Sequence, residues 1–337
     1  MRSTTVDRID GAHALAGSCH RIPDRYTVTA QRIRAYASAV HNRHPAHFDE
    51  NAATELGFAG LVAPPTFATL PWLDGARQVL GALYGPRPPR ILHAGQLIRI
   101  GRPLVAGDVV TTDIHIDSVE RFPDYCALAV TTVLRDPNGA AVQTGTATLL
   151  TDGPAARTPG PAVEYLRCHR RPSPGPRGTV TEPITPVRAP GPLDGTPPIP
   201  AGTEMPRRTV PIHRGELLRY AALTGAADHA GGRQRATTCL GMAPGMLRLA
   251  LTAGFVTSWL GDPARVRVLR AEFSHHCAGP AATTEIVEFR GHVRDVAPEH
   301  HTLTVDLDAR CRGRRLFAHA AATVELDGLG ARMPPPS

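Results

Sequence analysis

A chain of 337 residues has room for two domains of ordinary size, each with its own core. Its 42% hydrophobic content excludes a disordered protein, and no apolar run of about 18 residues marks a spanning helix. The net charge of +7 comes with 37 basic residues, all arginine, scattered in pairs at most (Arg170-Arg171, Arg207-Arg208, Arg314-Arg315) and without interleaved aromatics, so no nucleic-acid surface is expected.

The N-terminus, MRSTTVDRIDGAHALAG, carries acids and no continuous apolar core. It does not read as a signal peptide, so a cytoplasmic location and no membrane partner are expected. Cys19, Cys126, Cys168, Cys239, Cys277 and Cys311 are widely and irregularly spaced, without a C-x-x-C pair. They are expected to be free thiols.

In chain order, RIRAYASAV predicts a first helix, followed by a histidine-rich loop, HNRHPAHFD. Asp49 is placed to cap a short helix over AATEL. A longer helix is predicted over APPTFATLPWLDGARQVL. Strands with apolar alternation and β-branched enrichment follow: AGQLIRIGRPLVAGDVVTTDIHIDSVE, CALAVTTVLRD and GAAVQTGTATLLT, with Pro137-Asn138-Gly139 as a turn between the last two.

Residues 153–208 are rich in Pro, Gly and Arg. Proline removes backbone donors and fixes φ, so a linker is expected, partly extended and packed along a surface. Beyond it the same order returns. ELLRYAALTGAADHA precedes APGMLRLALTAGFVTSWLGDPARV, then RVLRAEFSHHCAGPAATTEIVEFRGHV, TLTVDLDARCR and RLFAHAAATVEL. The chain therefore divides into an N-terminal domain, 1–152, a linker, 153–208, and a C-terminal domain, 209–337, as an internal duplication.

The stretch from Tyr36 to Phe67, YASAVHNRHPAHFDENAATELGFAGLVAPPTF, carries the strongest motif. It resembles the hydratase motif of the MaoC-like family of (R)-specific enoyl-thioester hydratases and dehydratases: [ST]-G-D-x-N-P-[ILV]-H, an acidic helix, then G-[FY]-x-x-x-[IV]-A-[HP]-[GP]-[MT]. His47 stands at the motif histidine and Pro45 at the motif proline. Asn42 stands where the family places its catalytic aspartate. Arg102 to Asp108, RPLVAGD, matches the family's R-P-[LV]-x-x-G-D turn. The resemblance implies an α+β double hotdog, in which two antiparallel sheets, each wrapped on a long helix, lie side by side as a single-chain pseudo-dimer.

Family chemistry adds water to a 2-enoyl thioester or removes it from an (R)-3-hydroxyacyl thioester. It needs a group that handles the water, a group that moves the proton at C2, and a backbone N–H for the enolate oxygen. In the first half His47 remains, but an Asn42 amide accepts no proton at neutral pH. Pro65 falls where the oxyanion glycine would be and has no N–H. In the second half Gly245, in Ala243-Pro244-Gly245-Met246, is a candidate oxyanion donor, but Ala226 and Gly231 fall at the dyad positions. Asp228 and His229 are candidates to fill those roles from a shifted register. Pro65, Thr66, Phe67 and Trp72 are candidates for an acyl-binding wall, with core packing as the plainer reading. Trp72 and Trp259 lie at comparable places near the two long helices.

His41, His44 and His47 form H-x-x-H-x-x-H. A metal site would need all three to converge; the preferred reading has His44 bonding loop backbone and His41 exposed, with no metal. No metal or redox cofactor is implied.

The leading expectation is an enzyme of dehydratase or hydratase type acting on acyl-CoA or an acyl chain on a carrier protein, with a homo-oligomer compatible. One alternative is a repurposed hotdog enzyme of polyketide or other secondary metabolism, catalysing cyclisation, isomerisation or conjugate addition. A further alternative is a non-catalytic acyl-binding subunit.

Overall fold

Strands here alternate buried and exposed residues, as β-structure with one face on a core requires. The computed structural model describes residues 16–84, 91–122, 125–152, 170–171, 199–225, 242–274 and 284–326. The first half contains β1 (Ser18–Arg21), β2 (Tyr26–Thr27), α1 (Ala30–Ala39), the short α2 (Glu50–Glu55) and the long α3 (Thr69–Tyr84). It continues with β3 (Ile91–Ile100), β4 (Val109–Arg121), β5 (Tyr125–Arg135) and β6 (Ala141–Asp152).

After β7 (Arg170–Arg171), which pairs with β1, the order repeats. It runs β8 (Arg208–His213), α4 (Arg214–Leu223), α5 (Met242–Leu260), β9 (Val266–Phe273), β10 (Thr284–Ala297), β11 (Thr302–Cys311), β12 (Arg314–Arg315) and β13 (Phe317–Glu325).

Local chemistry sets these boundaries. Thr29 caps α1 by accepting from the Arg32 N–H, and Asp49 caps α2 by accepting from that of Asn51. Between β5 and β6 the Asp136 carboxylate accepts the N–H groups of Asn138 and Ala140, and Gly139 takes φ +87°. That is the turn expected at Pro137-Asn138-Gly139.

The strands form one antiparallel sheet in the order β7-β1-β4-β5-β6-β3-β9-β13-β11-β10-β8. The halves join through β3 and β9, in register from Gly95↔Glu272 to Arg99↔Val268. Helix α3 packs on the first half of the sheet. Trp72 lies over Gly145 of β6, where a Cβ would come within 2.6 Å of the ring, and Gly75 admits Ile114 of β4. Helix α5 packs on the second half, where Phe255 stacks on Phe289 of β10 at 5.7 Å. One buried apolar cluster runs through both halves, from Tyr36, Phe67 and Ile98 to Leu249, Leu269 and Val305. A long helix against an antiparallel sheet, repeated and joined edge to edge, makes a double hotdog.

Trp72 and Trp259 do not occupy comparable places. Trp72 lies in the first turn of α3 and Trp259 in the last turn of α5. Both are buried in the same cluster, because either end of a long helix offers a wide ring a place against the sheet. The stretch 153–208 is described only at 170–171 and from 199 onward. There the chain follows β10, with Gly202 and Met205 donating to the carbonyls of Val293 and Gly291, and Met205 is buried against Gly291.

Candidate active site

The motif loop begins where α1 ends. His41 takes φ +52°, and the Asn42 N–H returns to the Ala37 carbonyl. Pro45–His47 then forms one 3-10 turn capped by the His44 side chain, whose Nδ1 accepts from the Ala46 N–H at 3.2 Å. An Nδ1 that accepts leaves the proton on Nε2, which donates 2.9 Å to the Gly261 carbonyl at the end of α5.

This loop is fastened to the second half at three points. His41 Nε2 lies 3.0 Å from Glu216 Oε1 on α4. Burial works to raise the Glu216 pKa, but the His213 N–H and His41 bring it below the usual carboxylate range. Asn42 Oδ1 accepts 3.1 Å from the Thr257 hydroxyl on α5. His44 makes the bond to Gly261. Gly254 permits the approach, since Asn42 backbone lies 3.5 Å from where a Cβ would stand.

His41 is therefore not exposed; its side chain keeps 9% of its surface, because Glu216 draws it into the interface between halves. His44 does bond loop backbone, as expected. The three imidazoles turn to Glu216, Gly261 and Val62, and among the described residues no three His, Cys, Asp or Glu cluster to hold a metal ion.

His47 is wholly buried, and its Nδ1 lies 2.6 Å from the Val62 carbonyl. A carbonyl only accepts, so Nδ1 carries the proton and Nε2 presents a lone pair. Nε2 has no hydrogen-bond partner among the described residues, and neither does Asn42 Nδ2. Burial pushes the His47 pKa down to about 4, against the raising effect of the Val62 carbonyl and with a small further lowering from His44. The site thus holds a neutral imidazole at physiological pH.

Val62 leads into the A-P-P-T-F segment. Pro65, Thr66 and Phe67 are all buried. The Tyr36 hydroxyl of α1 donates to the Thr66 carbonyl at 2.8 Å and lies 3.1 Å from its hydroxyl. Phe67 meets the rings of Tyr36 and Tyr26 edge-on at 5.5 and 6.3 Å. Tyr36 also meets Tyr220 of α4, with centroids 6.2 Å apart.

The structure thus brings His47, through Val62, to the start of the segment that carries Pro65, Thr66 and Phe67. It turns Asn42 toward α5. Trp72 packs on Gly145. Gly245 lies near the start of α5, and its nearest neighbours are His93 of β3, 3.3 Å from a Cβ position, and the Phe273 ring. Asp228 and His229, with Ala226 and Gly231, lie outside the described residues. A cavity of about 160 Å³ lined by Arg21, Arg25, Thr111 and Arg135 includes no motif-loop residue.

Sequence reasoning missed Thr257 and His93, which are remote in sequence from the motif, and Val62, which lies within the motif stretch but acts through its backbone carbonyl. Tyr36 and Tyr220 had a signal: each stands near the centre of the first helix of its half, in AYAS and RYAA.

A family model for the FAS1-like dehydratase domain region matches residues 16–145. A UPF0336 protein of Mycolicibacterium paratuberculosis is 34% identical over 130 residues, covering 38% of this chain and 82% of that protein. A UPF0336 protein of Mycobacterium leprae is 32% identical over the same shares. Among solved structures, a MaoC-like dehydratase is similar with 27% identity and a TM-score of 0.73, over 93% of this chain and 99% of that one. A conserved hypothetical protein of Mycobacterium tuberculosis with a double hotdog fold shares the fold at 13% identity and a TM-score of 0.61, over 92% and 96% of the two chains.

Proposed function

Because this chain belongs to the MaoC-like dehydratase family, we propose that it adds water to 2-enoyl thioesters, or removes it from 3-hydroxyacyl thioesters, with His47 as the proton carrier. The observation that carries this reading is the His47 imidazole itself. Its Nδ1 is fixed by the Val62 carbonyl, and its Nε2 lone pair is left available in a buried setting.

In the hydration direction Nε2 takes a proton from water as the water oxygen bonds to C3. The electron pair of the double bond moves toward C2 and the thioester carbonyl, giving an enolate. The proton then passes from the His47 imidazolium to C2, and the net change is the addition of one water. Dehydration is the reverse. Asn42 Nδ2 acts as the anchor of the water oxygen, which suits an amide donor without a partner among the described residues. The imidazolium forms beside the enolate, and their attraction offsets the cost of burying the charge. A histidine held this far below neutrality is a weak base, so turnover is slow relative to a site with a paired acid.

A carrier of negative charge, CoA or an acyl carrier protein, suits the net charge of +7. The test is hydration of short and medium 2-enoyl-CoA thioesters, followed by loss of enoyl absorbance. Turnover by the wild-type chain that disappears in His47→Ala supports the reading. Equal turnover in His47→Ala sinks it.

A second reading is supported by the Asn42 side chain, whose oxygen is held by Thr257 at the interface between halves. In that reading the first half shapes and binds the acyl chain without reacting. It predicts tight acyl-thioester binding with no turnover by the chain alone.

A further inference from the structure

We infer that the arginine-lined cavity of the first half, on the sheet face away from α3, is a binding site for a phosphate group, separate from the candidate active site. Its occupant is inorganic phosphate or a phosphate borne on a nucleotide. The site is independent of the His47 chemistry.

A strand sends successive side chains to opposite faces. Ile114 of β4 and Ile22, just past β1, both meet Gly75 of α3. Arg21 and Asp113, their chain neighbours and a cross-strand pair, therefore point to the other face. Thr111 shares that face, opposite Arg135 of β5. The cavity, about 160 Å³, adds Arg25 from the β1–β2 connection, with Asp136 and Gly139 from the β5–β6 turn. Ligand pockets commonly reach roughly 300–1,000 Å³, so this one suits a small anion or the phosphate end of a larger molecule.

Asp113 fixes two of the three guanidinium groups. Its side chain is only 5% exposed. Arg21 donates to both its oxygens at 2.6 Å, and Arg135 Nε to one of them at 2.8 Å. Burial works to raise the Asp113 pKa, but the hydrogen bonds and charges of the two arginines bring it below the usual carboxylate range. Arg135 also donates 2.9 Å to the Gly139 carbonyl. The Arg21 pair uses Nε and Nη2, which leaves Nη1 outside it. Arg25 is exposed and has no hydrogen-bond or ion-pair partner among the described residues.

The counterpart strands of the second half, β10 and β11, differ. Their pairs Arg294–Asp306 and Arg310–Asp308 have carboxylates 29% exposed, as surface ion pairs do. Burying Asp113 under two arginines carries a desolvation cost. Its effect here is to hold two guanidinium forks rigid beside a third that lacks a counter-ion.

Charge and shape select the ligand. Three guanidinium groups against the carboxylates of Asp113 and Asp136 leave one net positive charge. The Asp136 carboxylate is itself turned to the N–H groups of Asn138 and Ala140. The arginines come from β1, the β1–β2 connection and β5, and so from different sides of the cavity. A tetrahedral phosphate presents oxygens in several directions, whereas a carboxylate presents two in one plane.

Titration calorimetry on the full chain at fixed ionic strength tests this, with inorganic phosphate and adenosine 3′,5′-bisphosphate as probes. Saturable binding of at least one is expected. Arg25→Ala should weaken it about tenfold, as for loss of a hydrogen bond to a charged group, and Arg25→Glu should abolish it. Arg290→Gln, which removes an exposed arginine from β10, should leave the affinity unchanged. Dependence on Arg25 separates this site from binding elsewhere on the chain.

Arg25-dependent binding of inorganic phosphate supports the site with free phosphate as its occupant. Arg25-dependent binding of the bisphosphate alone supports it with a nucleotide-borne phosphate. Binding of neither probe overturns the inference. So does binding that survives in Arg25→Glu, or that falls equally in Arg290→Gln.

Discussion

The Thr257 hydroxyl, on the long helix of the second half, donates a 3.1 Å hydrogen bond to the side-chain oxygen of Asn42, in the motif loop of the first. The position at which relatives by motif carry an acid is here a neutral amide docked on the opposite half. Thr257→Val removes the donor and leaves a buried amide oxygen unpaired. The expected loss is about 1–2 kcal/mol of unfolding free energy, read from the denaturation midpoint. Wild-type stability in that variant would show that the bond contributes nothing.

Asn42→Asp sets two effects against each other. A carboxylate gives the loop a second proton-handling group, and its charge favours protonated His47, so hydration of 2-enoyl-CoA should rise. The same carboxylate is buried beside a hydroxyl rather than a cation, and a stability loss of about 1–3 kcal/mol is expected. Steady-state turnover and urea unfolding on one preparation separate the two, and a fall in turnover would count against the role given to this position.

His47 predicts a pH dependence of stability. Its folded pKa is pushed down to about 4, below the ordinary value of 6.5, so between these values the unfolded chain binds the proton and the folded chain does not. Stability contributed by the neutral, buried imidazole is full above pH 6.5 and is lost as pH falls toward 4. The loss is on the order of 3 kcal/mol. Unfolding free energies measured across this range should fall less steeply in His47→Gln, and identical slopes would refute the assignment.

Arg77 of α3 donates 2.5 Å to the Thr224 carbonyl, at the C-terminal end of α4, while its other nitrogen holds Asp74. A cation at a helix C-terminus satisfies an orphan carbonyl and opposes the helix dipole. Arg77→Ala should cost about 1–2 kcal/mol and speed amide exchange in the last turn of α4. Exchange rates there that match wild type would rule out the capping role.

Trp72 and Gly145 form a tight pair, with a Cβ at Gly145 only 2.6 Å from the indole. Gly145→Ala forces a rigid buried ring to move and should destabilise by about 1–3 kcal/mol. Adding Trp72→Phe should restore part of the loss, which a double-mutant cycle measures as a coupling energy. Additive effects would mean that the ring is not what limits the space.

Local signals carried most of the fold. The cap at Asp49, the turn at Pro137-Asn138-Gly139 and the repeated helix-then-strand order depend on neighbours in the chain, so they are legible in a string of residues. So was the motif that holds His47, because its spacing is local. The sequence could not say that His41 would meet Glu216 rather than solvent, or that Trp72 and Trp259 would sit at opposite ends of their helices.

By itself, then, the sequence determined the architecture, the family and the chemical identity of the motif side chains. Only the tertiary structure decided what those side chains face. The pairings of Asn42 with Thr257, His47 with Val62, Gly245 with His93 and Tyr36 with Tyr220 depend on how two halves and their loops dock. Packing in three dimensions sets burial and hydrogen-bond supply, and these fix which imidazole stays neutral.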